Sequence, residues 1–250
     1  MAKVRVRNQL CEVTPECRFS PQPAQNSSAI ADIYPHSPDF FIGYHNLLGD
    51  VLRATGFMPS VDSMDPVINP WLRPEIVDSP LTEVGKEQCR TKRQFAAKHL
   101  KPELIIVSPL TRAIQTAQLS FEDFQNSIPW IVVENTREET GMLVCNKRRP
   151  LSEVKSEFPS LTFEEGMTEE DTLFTPDHRE SHESKSDRIY SFLSEFLASR
   201  EETEIAVVGH SAWLHHMLNS EIVDCSDAPE LQPWFNVAEI RSVKLTFTKN

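Results

Sequence analysis

Two short apolar runs, each followed at once by a helix start, constrain this fold more than any other feature of the chain. LIIV at 104–107 leads into SPLTRAIQTA, and IAVV at 205–208 leads into GHSAW. Four consecutive apolar residues bounded by turn formers suit a strand covered on both faces, which is the parallel-sheet environment. The same alternation of periods continues elsewhere. Residues 29–34 (AIADIY) read as a short buried strand, and 44–55 as a helix with Leu47, Leu48, Val51 and Leu52 as its apolar stripe. Residues 57–80 are Pro-rich and irregular. Thr82 is placed to cap a helix running to about 99, with Gly85, Cys89, Phe95 and Ala96 on its inner face. Residues 131–133 read as a strand, 184–199 as a helix, 211–219 as a helix and 242–248 as a late strand. The expectation is an α/β chain: a three-layer α/β/α sandwich with a mostly parallel central sheet.

The 250 residues suit one large domain, and only 7 are glycine, which argues against a GxGxxG nucleotide fold. Residues 1–27 carry Lys3, Arg5, Arg7 and Arg18, then Pro21 and Pro23, with no apolar segment of a secretory signal. They are expected to be a disordered tail before a domain at 28–250. The formal net charge of −12 argues against nucleic acid and anionic membrane as partners, so any anionic ligand needs a local basic pocket. No run approaches 18 apolar residues. The five cysteines are odd in number and contain no CxxC, so neither a disulfide framework nor a zinc site is signalled. A cytoplasmic location is expected, with organelle targeting through the basic tail as the alternative.

Ligands of open α/β sheets bind at the carboxyl ends of strands. Arg112 falls in the first turn of the helix after LIIV, where a cation opposes the helix dipole. That placement makes sense if Arg112 and the helix start hold an anion together; the bland alternative is a surface arginine. His210 falls at the junction after IAVV, as a structural residue or a phosphate or catalytic contact. GHSAW also looks like the GxSxG elbow of α/β-hydrolases. Its last position is Trp213, and after Ser211 only His215 and His216 remain, on the next turn and ahead of every later acid. The hydrolase triad therefore has no downstream histidine.

Taken together, several segments resemble the histidine phosphatase (phosphoglycerate mutase-like) superfamily. DSPLTEVGKEQ (78–88) is similar to its PLTE segment, and LIIVSPLTRAIQTA (104–117) to its SPL-x-RA-x-QTA unit. The stretch 136–163 is similar to a branch with RE-x-x-G, CD-x-R and a later FP; 179–199 resembles that branch's RES-x-E helix. VVGHS (207–211) and WFNVAEIRSV (234–243) resemble the family's HS strand end and late strand. The resemblance covers most of 28–250 and looks more like the broad phosphatases of the superfamily, with a pseudophosphatase that binds a phosphorylated ligand or protein and a phosphoglycerate mutase-like phosphotransferase as the alternatives.

In that family an RHG or RHA motif supplies a nucleophilic histidine and a phosphate-binding arginine. Here GYHN (43–46) matches the family's pattern just after that motif, but the preceding chain reads IYPHSPDFFI. With a four-residue insertion His36 takes the nucleophile's place and Pro35 the arginine's; without a gap those positions fall on Phe40 and Asp39. Pro35 and Pro38 cannot both sit in a buried ladder, which favours His36 after a strand at 29–34. A degenerate site and a faulty segment are the alternatives. The resemblance then implies His36 as nucleophile, Arg112 and His210 on the phosphate oxygens, Asn46 as a neutral donor and Glu138 as acid and base. Asn146 stands where the branch has Asp, and Arg148 and Arg149 are candidates for further anion contacts. No cofactor or metal is implied, because the protein's own cations handle the charge. The implied partner is a phosphorylated small molecule or phosphoprotein.

Overall fold

The computed structural model describes residues 4–7, 64–65 and 69–247. The expected strand at 29–34 and helix at 44–55 lie outside the described residues, as do His36 and Asn46. Within the described residues the elements run β1 (Val4–Arg7), α1 (Glu83–His99), β2 (Leu104–Val107), α2 (Thr111–Ser120) and β3 (Trp130–Val132). They continue with α3 (Leu151–Glu157), β4 (Thr162–Phe163), α4 (His182–Ser191), β5 (Ile205–Val208), α5 (Ser211–Asn219), β6 (Val223–Asp224) and β7 (Lys244–Phe247).

The main sheet has four parallel strands in the order β4-β3-β2-β5. Its centre is β2, whose four residues are fully buried. Alternate side chains of β2 feed two cores. Leu104 and Ile106 join Ile189, Phe192, Leu193, Trp213 and Leu218, the inner faces of α4, its continuation and α5. Ile105 and Val107 join Ala96, Ala113, Ile114, Ala117 and Val154, from α1, α2 and α3. This is the α/β/α sandwich expected from the continuous apolar runs. Truncating one of these β2 side chains to Ala removes about 2–5 kcal/mol.

The flanking helices obey local rules. Thr82 accepts from the amide of Gly85 at 3.1 Å, so α1 starts where the sequence places its cap. Leu100 ends it in an extended conformation. The 184–199 helix is not one continuous α-helix: α4 gives way to a π-helical segment, Phe192–Phe196, and a 3-10 turn, Leu197–Ser199. Phe192 and Leu193 remain buried through that change.

A second, mixed sheet has the order β6-β1-β7, with β1 parallel to β6 and antiparallel to β7. Residues 4–7 are thus a paired strand rather than part of a tail. The alternating VRVR of β1 gives a period-2 segment that a composition argument passes over.

Candidate active site at two strand ends

β2 and β5 pair in register, Leu104 with Ile205 through Val107 with Val208, so their carboxyl ends coincide. The Ser108 amide continues the ladder by donating to the Val208 carbonyl at 3.0 Å. Helix α2 begins just past β2, and α5 just past β5. Neither N-cap residue, Leu110 or His210, caps its helix with its own side chain. Distant carboxylates do so instead.

At the start of α2, buried Asp78 accepts from the Thr111 amide at 2.7 Å and the Thr111 hydroxyl at 2.6 Å. Its backbone φ of 46° is left-handed, a conformation Asp adopts more readily than most residues. Burial raises the Asp78 carboxyl above the ordinary carboxylate range, against the pull of Thr111, Arg149 and Arg112. Arg149 bonds Asp78 at 3.1 Å and Glu157 at 2.6 Å. Arg149 is therefore part of the capping network, not a free anion contact. The helix start that Arg112 was expected to share with a ligand is held by Asp78.

At the start of α5, Glu138 plays the corresponding part. Its Oε1 accepts from the amides of Trp213 (3.1 Å) and Glu139 (2.8 Å), and its Oε2 from Ala212 at 3.3 Å. These bonds use about three of a carboxylate's four lone-pair positions. The segment before it is stapled by Arg188, which donates to the carbonyls of Asn135 (3.0 Å), Arg137 (2.7 Å) and Glu138 (3.1 Å). The Arg188 charge is balanced by Glu180 at 2.6 Å.

Arg112 is only 7% exposed. It donates from Nη1 to the Cys145 carbonyl and from Nη2 to Asn146 Oδ1, both at 2.9 Å. Its Nε has no hydrogen-bond partner among the described residues. No carboxylate forms an ion pair with it among the described residues. An aspartate at 146 would supply that charge; Asn146 supplies a neutral acceptor, and its own amide donates to the Glu139 carbonyl at 2.8 Å. Buried guanidinium groups are ordinarily neutralised, so this one stands out.

His210 is 2% exposed, with Nε2 2.8 Å from the Ser108 hydroxyl. Burial first, then the charges of Arg112, Arg188 and Arg137, push its pKa well below the usual histidine value. The ring is neutral at physiological pH. Arg112, His210 and Glu138 are thus brought to one end of the sheet.

Two other expectations are corrected. Arg148 is not available for an anion: its side chain is fully buried and donates to the carbonyls of Arg149, Thr168, Glu169 and Glu170. The acidic stretch 164–171, which by charge alone is expected to be a solvated loop, is not simply one. The Asp171 side chain is buried and accepts from both Nη nitrogens of Arg137, at 2.7 and 2.6 Å. Burial alone would raise the Asp171 carboxyl, but Arg137 and the amides of Arg148 and Leu173 hold it below the ordinary range. Sequence reasoning assigned no role to Asp78 or Ser108, although both lie inside the family-like PLTE and SPL segments. For Ser108 the available signal was a polar residue directly after an apolar strand. Among the described residues, no group of three or more His, Cys, Asp or Glu side chains could hold a metal ion.

The family model for the histidine phosphatase superfamily (branch 1) matches residues 75–240. A phosphoglycerate mutase-like protein of Arabidopsis thaliana is 36% identical over 197 residues, covering 66% of this chain and 72% of the relative. Phosphoglycerate mutase-like protein 1 of the same plant is 31% identical over 204 residues, covering 69% of this chain and 72% of its own length. A solved mycobacterial glucosyl-3-phosphoglycerate phosphatase aligns at 20% identity and a TM-score of 0.38, over 56% of this chain and 66% of that one.

Proposed function

The chain belongs to the histidine phosphatase superfamily, and from that premise we propose that it is a metal-independent phosphomonoesterase working through a phosphohistidine. The observation that carries this reading is Arg112: a buried guanidinium with no carboxylate partner among the described residues and an unbonded Nε, next to a neutral buried imidazole. A phosphoryl dianion is the ligand that this charge balance favours.

In the proposed reaction the neutral imidazole of His36 attacks phosphorus in line. An N–P bond forms as the bond to the leaving oxygen breaks. Arg112 and His210 hold non-bridging oxygens, and Asn46 adds a neutral hydrogen bond. Glu138 gives the leaving oxygen its proton, then takes one from the water that attacks the phosphohistidine, releasing phosphate and free His36. Glu138 can do this only through the lone-pair position that its three amides leave open. The substrate is a phosphorylated small molecule or phosphoprotein, and the protein is proposed to act in the cytoplasm.

A second reading has its own observation. Neither alignment puts an arginine at the family's first phosphate-binding position, Pro35 with the insertion and Asp39 without it, and Glu138 is engaged as a helix cap. A protein so altered would bind phosphorylated ligands without turning them over. One experiment separates the two: hydrolysis of an aryl phosphate between pH 5 and 8 with chelator present, for wild type and His36→Ala. The enzyme reading expects activity that the substitution abolishes. Phosphate binding without hydrolysis in the wild type selects the binding protein, and phosphate transferred to a second organic hydroxyl instead of released to water selects a mutase.

A further inference from the structure

We infer that Ser108 is a positioning residue that sets the tautomer of His210. Its hydroxyl donates to Nε2, which leaves the single proton of the neutral ring on Nδ1.

The argument is an accounting of one buried hydroxyl. Ser108 is 0% exposed, so no solvent satisfies its Oγ. Among the described residues, two groups reach that oxygen. The Leu110 amide lies 3.4 Å away and can only donate, so there the hydroxyl accepts. His210 Nε2 lies 2.8 Å away and takes either role, depending on where the ring proton sits. If Nε2 carried the proton, Oγ would accept twice, and its own proton would have no acceptor among the described residues. If Nε2 is bare, the hydroxyl proton and the Leu110 amide both have partners, and the ring proton moves to Nδ1, which is not among the buried side-chain atoms left without one. Buried polar groups overwhelmingly adopt the satisfied arrangement.

The backbone holds this arrangement rigidly. The in-register pairing of Val107 with Val208 and the bond from the Ser108 amide to the Val208 carbonyl fix Ser108 beside the β5 exit. His210 itself is held as an extended N-cap (φ −128°, ψ 153°), with its carbonyl accepting from Leu214 at 2.9 Å. The backbone positions of both partners are therefore fixed relative to each other by sheet and helix bonds.

The consequence rests on the proposed anion site. A neutral imidazole offers one donor, and an oxygen of a bound phosphoryl group needs a donor. The opposite tautomer would spend its proton on Ser108 and turn a lone pair toward the anion. Ser108 thereby decides whether His210 attracts or repels the ligand without touching the ligand itself.

The test is nitrogen-15 NMR of the histidine-labelled protein, with the His210 signals assigned by their loss in His210→Gln. Wild type is expected to show a protonated Nδ1 and a bare Nε2. Ser108→Ala should move the ring toward the Nε2–H form or a mixture and weaken inorganic phosphate binding about tenfold. Ser108→Thr, which keeps the hydroxyl, should restore both, and Ser108→Cys, a weaker donor, should fall between if the threonine methyl is not accommodated. A wild-type ring protonated on Nε2, or a Ser108→Ala ring unchanged from wild type, overturns the inference. A wild-type ring protonated on Nδ1 in a protein that binds no phosphate supports the tautomer assignment and refutes the anion-site reading, so the two failures are distinguishable.

Discussion

The two strand–helix junctions share one plan and differ in their charge. At each, a carboxylate from far along the chain caps the helix: Asp78 for α2 and Glu138 for α5. At the first, the cap is also gripped by Arg149 and the Thr111 hydroxyl, so its charge is matched inside the protein. At the second, the cap receives only backbone amides among the described residues, and the N-cap residue of its helix is a neutral histidine. Arg112, in the first turn of α2, has no carboxylate of its own among the described residues. The lesson is that carboxylates take the capping at both helix starts, which leaves the Arg112 guanidinium and the His210 imidazole for the proposed phosphate.

The largest expected effect that would break this division comes from Asp78→Ala. It strips a cap and leaves Arg149 with one fewer partner, at a cost of about 2–3 kcal/mol in denaturant unfolding. A cost near zero would mean the first junction does not depend on its carboxylate. Glu138→Ala should cost about 1–2 kcal/mol, as for a lost cap. Glu138→Gln retains an acceptor and should recover most of that stability; if the carboxyl also moves protons, the pH profile of hydrolysis changes even in the stable Gln variant. Next comes Asn146→Asp, which sharpens the comparison by supplying the missing charge. A carboxylate on Arg112 should weaken phosphate binding about tenfold, or about 1.4 kcal/mol, by titration calorimetry. Unchanged affinity would show that the neutrality of Asn146 is incidental.

The smallest effect is the pH dependence carried by His210. Its folded pKa is depressed, so the unfolded chain binds the proton more readily. Stability is fully present above the unfolded value near 6.5 and declines as pH falls below it. The loss between pH 7 and pH 6 from this group is under about 1 kcal/mol. His215 and His216 are also depressed, by burial first and nearby cations second, and add in the same direction. Replacing His210 with Gln should flatten the curve; a slope that does not change would remove His210 as its source.

Much of this arrangement was legible in the sequence where local pattern decides it. The fully buried β2, the Thr82 cap and the starts of α2 and α5 come from runs of a few residues. What was not legible depends on distance along the chain. Asp171 reads as one acid among many in 164–171, and only Arg137, thirty-four residues earlier, draws it inside. Asp78 and Thr111 meet across thirty-three residues, and Glu138 and Trp213 across seventy-five. β4 and β6, at two residues each, are shorter than any periodicity can register. The break after α4 is invisible because Phe192, Leu193, Phe196 and Leu197 keep an apolar face in either helical form.

The central claim is that Arg112 and His210 form an anion site whose charge the protein itself leaves unmatched. Titration of wild type and Arg112→Met with inorganic phosphate, by calorimetry with chelator present, tests it most directly. The account predicts saturable binding to wild type at one site per chain, weakened at least about a hundredfold in Arg112→Met, with the variant still folded. Equal binding by the two proteins, or none by a folded wild type, would contradict it.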